Sequence, residues 1–320
     1  MSLYKLYKNK LVSVLSQKID LEKDIQLLTE ENLEVLFGIK FVSGKSTKEF
    51  SIGVAEQDFY IDTLAYDENQ KSIVIIEYKK DRSISVIDQG FAYLSAVLNH
   101  KADMVLELND KLKKSFNKDS IDWEATRVIF ISPEFTNYQR NAINFKDLPI
   151  YLYEVKLYEN GLVEYDPIKP YRTTESISSL SKDKTIQKVS KEVKVYSEEN
   201  FLPESGEIRD LYNLLKEKLL YIDSTLIFHP TKYYIGVQKP GNWRVIVALN
   251  IKSNKIAIDY NRSRPEDLKS DTEKRLVYRE NSFKSYGQNI STLTVEDYTD
   301  VDYACKLFEE LLEKFIQQFK

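Results

Sequence analysis

Three ionisable residues, Asp62, Glu77 and Lys79, stand at the ends of two apolar runs. Residues 73–76, Ile-Val-Ile-Ile, make a short β-branched stretch that reads as a buried strand. Ionisable side chains at the end of such a strand are costly unless paired, hydrogen-bonded or bound to a metal. Glu77 and Lys79 are two apart and so project from one face of the strand. Asp62 ends the preceding run, and Asp67, Glu68, Asn69 and Gln70 supply turn residues between the two. A hairpin closed there brings Asp62 beside Glu77. Two carboxylates and an ammonium at one sheet edge are the donor set of a Mg2+ site with a lysine next to it.

The elements that must hold these residues follow from periodicity. Residues up to about 37 read as helical, and Gly38 ends that stretch. Extended runs at 39–42 and 59–66 lead into the strand at 73–79. An amphipathic helix is expected over 85–99, packing through Val86, Phe91, Tyr93, Leu94, Val97 and Leu98. It places Gln89 and Tyr93, four apart, on one face. Strands are expected at 104–108, 127–132 and 150–158, with helical segments between the first of them. Antiparallel strands followed by strands alternating with helices suit an α/β (α+β) domain, a mixed sheet flanked by helices. Residues 171–203 are rich in Ser, Thr, Lys and Glu and read as a linker. From 204 to 320 a second α+β domain is expected, with helices at 208–221 and 301–319 and strands at 233–237, 243–249 and 255–260. The first domain is then 1–170, and no internal repeat is evident.

The arrangement of Asp62, then Glu77-Tyr78-Lys79 at the end of an apolar strand, resembles the PD-(D/E)xK phosphodiesterase superfamily of restriction and repair nucleases. Gln89 and Tyr93 resemble the Gln-x-x-x-Tyr element of its RecB-like and archaeal mismatch-endonuclease-like members. Glu31 to Glu34 before Leu36-Phe37-Gly38, the run 88–94 through His100 to Asp103, and the run 231–236 are similar to a narrower bacterial and archaeal family. Its members join such a domain to a conserved C-terminal domain and are often labelled predicted transport proteins. Two departures stand out: Tyr60 occupies a position where mismatch endonucleases carry a basic residue, and no proline precedes Asp62. The resemblance implies a restriction-endonuclease-like fold and Mg2+- or Mn2+-dependent hydrolysis of DNA phosphodiesters. It implies Asp62, Glu77 and the backbone carbonyl of Tyr78 as metal ligands, with Lys79 beside the attacking water. Gln89 and Tyr93 would bond the carboxylate, Lys79 or a DNA phosphate; taken alone, Tyr93 is a core aromatic. Glu49, Glu34 and Glu31 are candidates for a further acid. The competing expectations are a catalytically silent nucleic-acid-binding or regulatory protein on the same fold, and an accessory to transport.

Composition narrows the classes. The 320 residues suffice for two domains with substantial cores. The formal net charge of −4 argues against a dedicated non-specific nucleic-acid binder but leaves room for a cleft with local positive charge. Between 228 and 288 about a dozen Lys and Arg face about half as many Asp and Glu, which is either a phosphate-contacting region or a solvated basic face. Within it Tyr233, Tyr234 and Trp243 are interleaved with Lys232, Lys239 and Arg244, a pattern suited to bases and phosphates; aromatic residues in strands are also ordinary core. Lys80 and Arg82 are further candidate phosphate contacts beside Lys79. No apolar run approaches the roughly 20 residues of a membrane span, and the N-terminus lacks the apolar core of a signal peptide. The single cysteine, Cys305, excludes an internal disulfide and a cysteine-based zinc site. A cytoplasmic protein with DNA as partner, no membrane, and a chain compatible with a homodimer is the expectation. Gly44-Lys45-Ser46-Thr47 lacks the upstream glycine spacing of a phosphate loop, and His100 and His229 have no partner at metal-ligand spacing.

Overall fold

The computed structural model describes residues 3–17, 22–54, 57–79, 85–171 and 175–319. It divides into two compact units, 1–195 and 196–320. The chain is a mixed α+β protein, as the alternation of periods implies.

In the first unit, β1 (Leu3–Tyr7) and β2 (Lys10–Val14) form a hairpin, and β3 (Ser16–Gln17) follows. Lys8 and Asn9 both have positive φ, 45° and 61°, the condition for a two-residue hairpin turn. The expectation of helix up to about residue 37 is therefore corrected: among the described residues of that stretch, only α1 (Glu22–Glu30) and α2 (Leu33–Phe37) are helical. Next come β4 (Lys40–Gly44), the separate hairpin of β5 (Phe50–Val54) and β6 (Gln57–Ile61), then β7 (Thr63–Asp67) and β8 (Ser72–Tyr78). Helices α3 (Val86–Asn99) and α4 (Lys101–Leu112) lead to β9 (Arg127–Ser132). After α5 (Asn137–Ala142) come β10 (Ile150–Tyr158) and β11 (Val163–Ile168), then α6 (Ile177–Leu180) and α7 (Lys184–Glu192). The main sheet runs β11-β10-β9-β8-β7-β4, with β3 also on β10. Strands β8, β9 and β10 are mutually parallel, and β7 is antiparallel to β8.

Side chains alternate across this sheet. Ile73, Ile75, Val128 and Phe130 share a core with α3, α4 and α7, whereas Val74, Ile76, Tyr78 and Ile129 pack with α1 and α2 on the other face. Strand β8 is buried throughout, which is why it reads as a continuous apolar run. Helix α3 opens with Ser85, whose side chain accepts the Asp88 N–H, and lies close on the sheet at Gly90. A Cβ there would stand 2.4 Å from Ile150 Cδ1.

Two further expectations are corrected. Residues 104–108 are helix, not strand: Met104, Val105 and Leu108 are buried while Leu106 is exposed, a helical period. The expected linker at 171–203 carries α6 and α7, whose Ile177, Ile186 and Val189, with Val193 beyond, complete the first core. Few apolar residues suffice there because they recur on one face.

The second unit is a six-stranded antiparallel sheet ordered β12-β13-β14-β15-β17-β16. Its elements are α8 (Glu207–Ile222), β12 (Ile227–Pro230), β13 (Ile235–Gln238), β14 (Val247–Ile251), β15 (Ile256–Asn261), β16 (Val277–Tyr278), α9 (Ser282–Tyr286), β17 (Ile290–Val295) and α10 (Tyr298–Gln318). Both long helices share one core with the strands. They match the expected helices, and three of the strands overlap the expected ones; β12, β16 and β17 had no clear signal.

If residues 177–193 belong to the first core, Val189→Ala should cost about 1.5–3 kcal/mol, the range for burying such a side chain. Urea unfolding of the full chain reads this as a lower midpoint of the first unit's transition. An unchanged midpoint would return the segment to the status of a linker.

Candidate metal centre

The end of β8 gathers the residues singled out by their spacing. Thr63 pairs with Ile76 in the β7–β8 ladder, so Asp62 and Glu77 come one step beyond it, side by side. Glu77 extends the Ile73–Ile75 row and therefore faces α3. Its Oε1 accepts from Lys79 Nζ at 2.6 Å and from Gln89 Nε2 at 3.0 Å, and its Oε2 accepts from Tyr93 OH at 2.6 Å. Glu77 is 3% exposed. Phe59 of β6 closes over Tyr93 edge to face, with ring centroids 4.7 Å apart. Asp62 Oδ2 accepts the Tyr78 N–H at 3.1 Å. The Lys79 N–H is turned the other way, to the Ile131 carbonyl at 2.9 Å. Because N–H and C=O of one strand residue point to the same side, the Tyr78 carbonyl lies on the Asp62 side.

Burial and mutual repulsion set the protonation of the pair. Desolvation, then the charge of Asp62, pushes the Glu77 carboxyl up to about 7, against the bonds from Lys79 and Tyr93. Asp62 is also raised, chiefly by burial, with the Tyr78 N–H and the Lys79 charge opposing and the Glu49 charge adding. The Tyr93 hydroxyl is raised by burial and by Glu77, so it acts as a donor.

A second carboxylate network supports the site from behind, and its centre, Glu30, escaped sequence reasoning. Glu30 Oε1 accepts from Thr63 Oγ1 at 2.6 Å, Lys45 N at 2.9 Å and Gln26 Nε2 at 3.0 Å; its Oε2 accepts from Ser46 N at 2.8 Å and Ser46 Oγ at 2.7 Å. Gln26 also donates to the Asp62 carbonyl at 2.8 Å. The buried face of α1 is Ile25, Gln26, Thr29 and Glu30. The helical period that turns Glu30 inward sends its neighbour Glu31 to solvent. Glu31 and Glu34, candidates for a further acid, are both exposed, and among the described residues no hydrogen bond or ion pair ties either to Asp62 or Glu77. Glu49 lies within electrostatic reach of Asp62 but pairs with Lys45 at 3.4 Å.

Of the expected phosphate contacts, Lys80 and Arg82 lie outside the described residues. In the second unit Lys232 is exposed, while Lys239 is held by Asp223 at 2.5 Å and by Thr225 at 2.9 Å. Arg244 stacks on Trp243 and Phe319, 4.6 Å and 4.5 Å from their centroids.

The donor set fits a hard divalent cation. Asp62 and Glu77 supply carboxylate oxygens of the kind Mg2+ and Mn2+ prefer. Gln89 Oε1 is a buried acceptor with no hydrogen-bond partner among the described residues, an atom that still calls for a donor such as a bound water. Among the described residues no group of three or more His, Cys, Asp or Glu side chains could hold a metal, so the backbone carbonyl and waters would complete the shell. No described helix is long and apolar enough to cross a membrane.

Gly44 brings β4 against this centre: a Cβ on it would stand 2.2 Å from Glu30 Oε1 and 2.9 Å from the Asp62 carbonyl. Gly44→Ala should cost roughly 1–3 kcal/mol, as overpacking does. A thermal melt of the variant should show a clear drop, and an unchanged melt would show that the strand end has slack.

The folded pKa of Glu77 lies above its ordinary 4.5, so the folded state holds that proton more tightly than the unfolded chain. Its contribution to stability is complete below about pH 4.5 and is lost as the pH rises through about 7. In chelator, urea unfolding from pH 5 to 8 should show wild type losing stability relative to Glu77→Gln. Parallel curves would remove Glu77 as the titrating group.

Compared with known proteins, the chain is 34% identical over 315 residues to a Haemophilus influenzae protein described as uncharacterized, an alignment covering 98% of this chain and 100% of that one. No family model matches the chain, and no solved structure matches it.

Proposed function

The chain belongs to the family of that Haemophilus influenzae protein, and we propose that it is a metal-dependent nuclease that hydrolyses DNA phosphodiester bonds in the cytoplasm. The observation that carries the proposal is the meeting of Asp62, Glu77, Lys79, Gln89 and Tyr93 at the end of β8, with both Glu77 oxygens engaged by the other three donors. Its likeness to the PD-(D/E)xK pattern, on a mixed sheet flanked by helices, supports the same reading.

Asp62, Glu77 and the Tyr78 carbonyl would hold Mg2+ or Mn2+, which supplies the positive charge that acidifies a bound water and neutralises phosphate oxygens. Tyr93 and Gln89 fix the plane of the Glu77 carboxylate, as outer partners of metal ligands do. The Tyr78 N–H does the same for Asp62. Lys79 lies on the same strand face as Glu77 and can turn its ammonium to the phosphate, stabilising charge that develops there. Phe59 and the buried wall of α3 keep water from the inner side of the carboxylate.

The competing reading is a nucleic-acid-binding protein without turnover. It is favoured by the absence of a third acidic side chain at the site among the described residues. The purified chain, given single-stranded, linear and circular DNA with Mg2+ or Mn2+, separates the two. Asp62→Ala should abolish cleavage, Lys79→Ala should lower it about 10²–10³-fold, and Tyr93→Phe should lower it less. Cleavage that survives both alanine substitutions would sink the nuclease assignment.

A further inference from the structure

The second unit contains two arginines with no acid to answer them. Arg262 follows β15 in the left-handed region, at φ 57°. Its guanidinium donates to the Val245 carbonyl and, at 3.1 Å, to Gln288 Oε1, and lies 5.3 Å from the Phe315 centroid. Arg244 lies over Phe319, and Arg262 is 5.8 Å from the same ring. Among the described residues the Arg244 guanidinium makes no hydrogen bond or ion pair, and neither arginine pairs with a carboxylate. Burial, then the like charge of Arg244, lowers the Arg262 pKa to about 10.

Buried or half-buried charge is ordinarily paired, and two cations at one aromatic ring without an acid are costly. The guanidinium fork has five N–H donors, of which the two bonds of Arg262 leave several open. A cavity of ≈ 330 Å³ opens beside Arg262, with Asn261, Ser263 and Gln318 on its polar side and Leu268, Leu311 and Phe315 on its apolar side. The other two charged residues that line it, Lys314 and Asp267, are of opposite sign. Lys314 bonds Glu310 at 2.8 Å and the Asp267 carbonyl, and the Asp267 carboxylate accepts the Arg264 N–H at 2.7 Å.

We propose that Arg262, with the charge of Arg244 over the same Phe319 ring behind it, forms an oxyanion site for a phosphate monoester of nucleotide size, its phosphate on Arg262 and its body in the cavity that Arg262 lines. Arginine suits this role because its planar fork meets phosphate oxygens bidentately. A bare phosphate would leave most of the cavity unfilled, whereas a nucleotide matches the small end of ligand pockets. The phosphate belongs either to a free nucleotide or to the 5′ end of a DNA strand. The site lies wholly within the second unit and does not depend on the metal-centre reading.

Calorimetry on the full chain tests it, with AMP, adenosine and a short single-stranded DNA with and without a 5′ phosphate. AMP or the phosphorylated strand should bind, the unphosphorylated counterparts at least about tenfold more weakly, and whichever arm binds identifies the source. Arg262→Gln should weaken binding about tenfold or more, and Arg244→Gln, which removes a neighbouring charge, should weaken it several-fold. Arg244→Gln removes no hydrogen bond made by the side chain, so it keeps the test valid if Arg262→Gln fails to fold. AMP should bind equally well with and without a chelator of divalent cations, which separates this site from the metal centre. No binding by either phosphorylated probe, equal binding of adenosine, or binding unaffected by Arg244→Gln would overturn the proposal.

Discussion

Removing a carboxylate from water at the end of a buried strand costs several kcal/mol unless donors replace the lost hydration. Glu77 is in that position, and the surrounding structure can be understood as the means of supplying those donors. One comes from its own strand, two residues on, and two come from α3. For Gln89 and Tyr93 to reach, α3 must lie close against the sheet, which Gly90 allows by presenting no side chain to Ile150. For Lys79 to share the face, β8 must keep its extended register to the end. That register is held on both sides, by the β7 ladder and by the parallel pairing with β9.

Two buried carboxylates of the first unit show how surroundings set a role. Glu30 is saturated by five donors and ties the end of β4 to Thr63. Its work is to hold the strand end from which Asp62 projects. Glu77 and Asp62 instead share a single ammonium; burial raises both, and the Asp62 charge raises Glu77 further, so once both are ionised the pair carries more negative charge than the one ammonium answers. All three carry the same carboxylate group. The balance of donors against acceptors separates a structural carboxylate from a candidate ligand.

Much of the candidate centre was legible because its signals are local. The apolar stretch before Glu77, the turn residues after Asp67 and the four-residue spacing of Gln89 and Tyr93 each carry their geometry within a few residues. The misread segments are those where local pattern was ambiguous or sparse. Around residue 104 a short apolar run fits either period, and only the exposure of Leu106 shows the helical one. From 177 to 193 the apolar residues are too few to suggest a core, yet they fall on one face and meet one already built. At the N-terminus Lys8 and Asn9 adopt positive φ without glycine, so the hairpin lacked its usual mark.

The sequence by itself determined the chemistry on offer: which acids, which base, and that Glu77, Lys79, Gln89 and Tyr93 would face one way within their own elements. Backbone periodicity suffices for that, since it is a property of consecutive residues. Only the tertiary structure decided that those two faces meet, that Glu30 rather than Glu31 turns inward, and that Arg244 and Arg262 share a ring without an acid. Such outcomes depend on pairings across tens of residues, where one step along a helix exchanges core for solvent. The same long-range packing removes water from Glu77, and so changes a surface acid into a group whose proton is held to about pH 7.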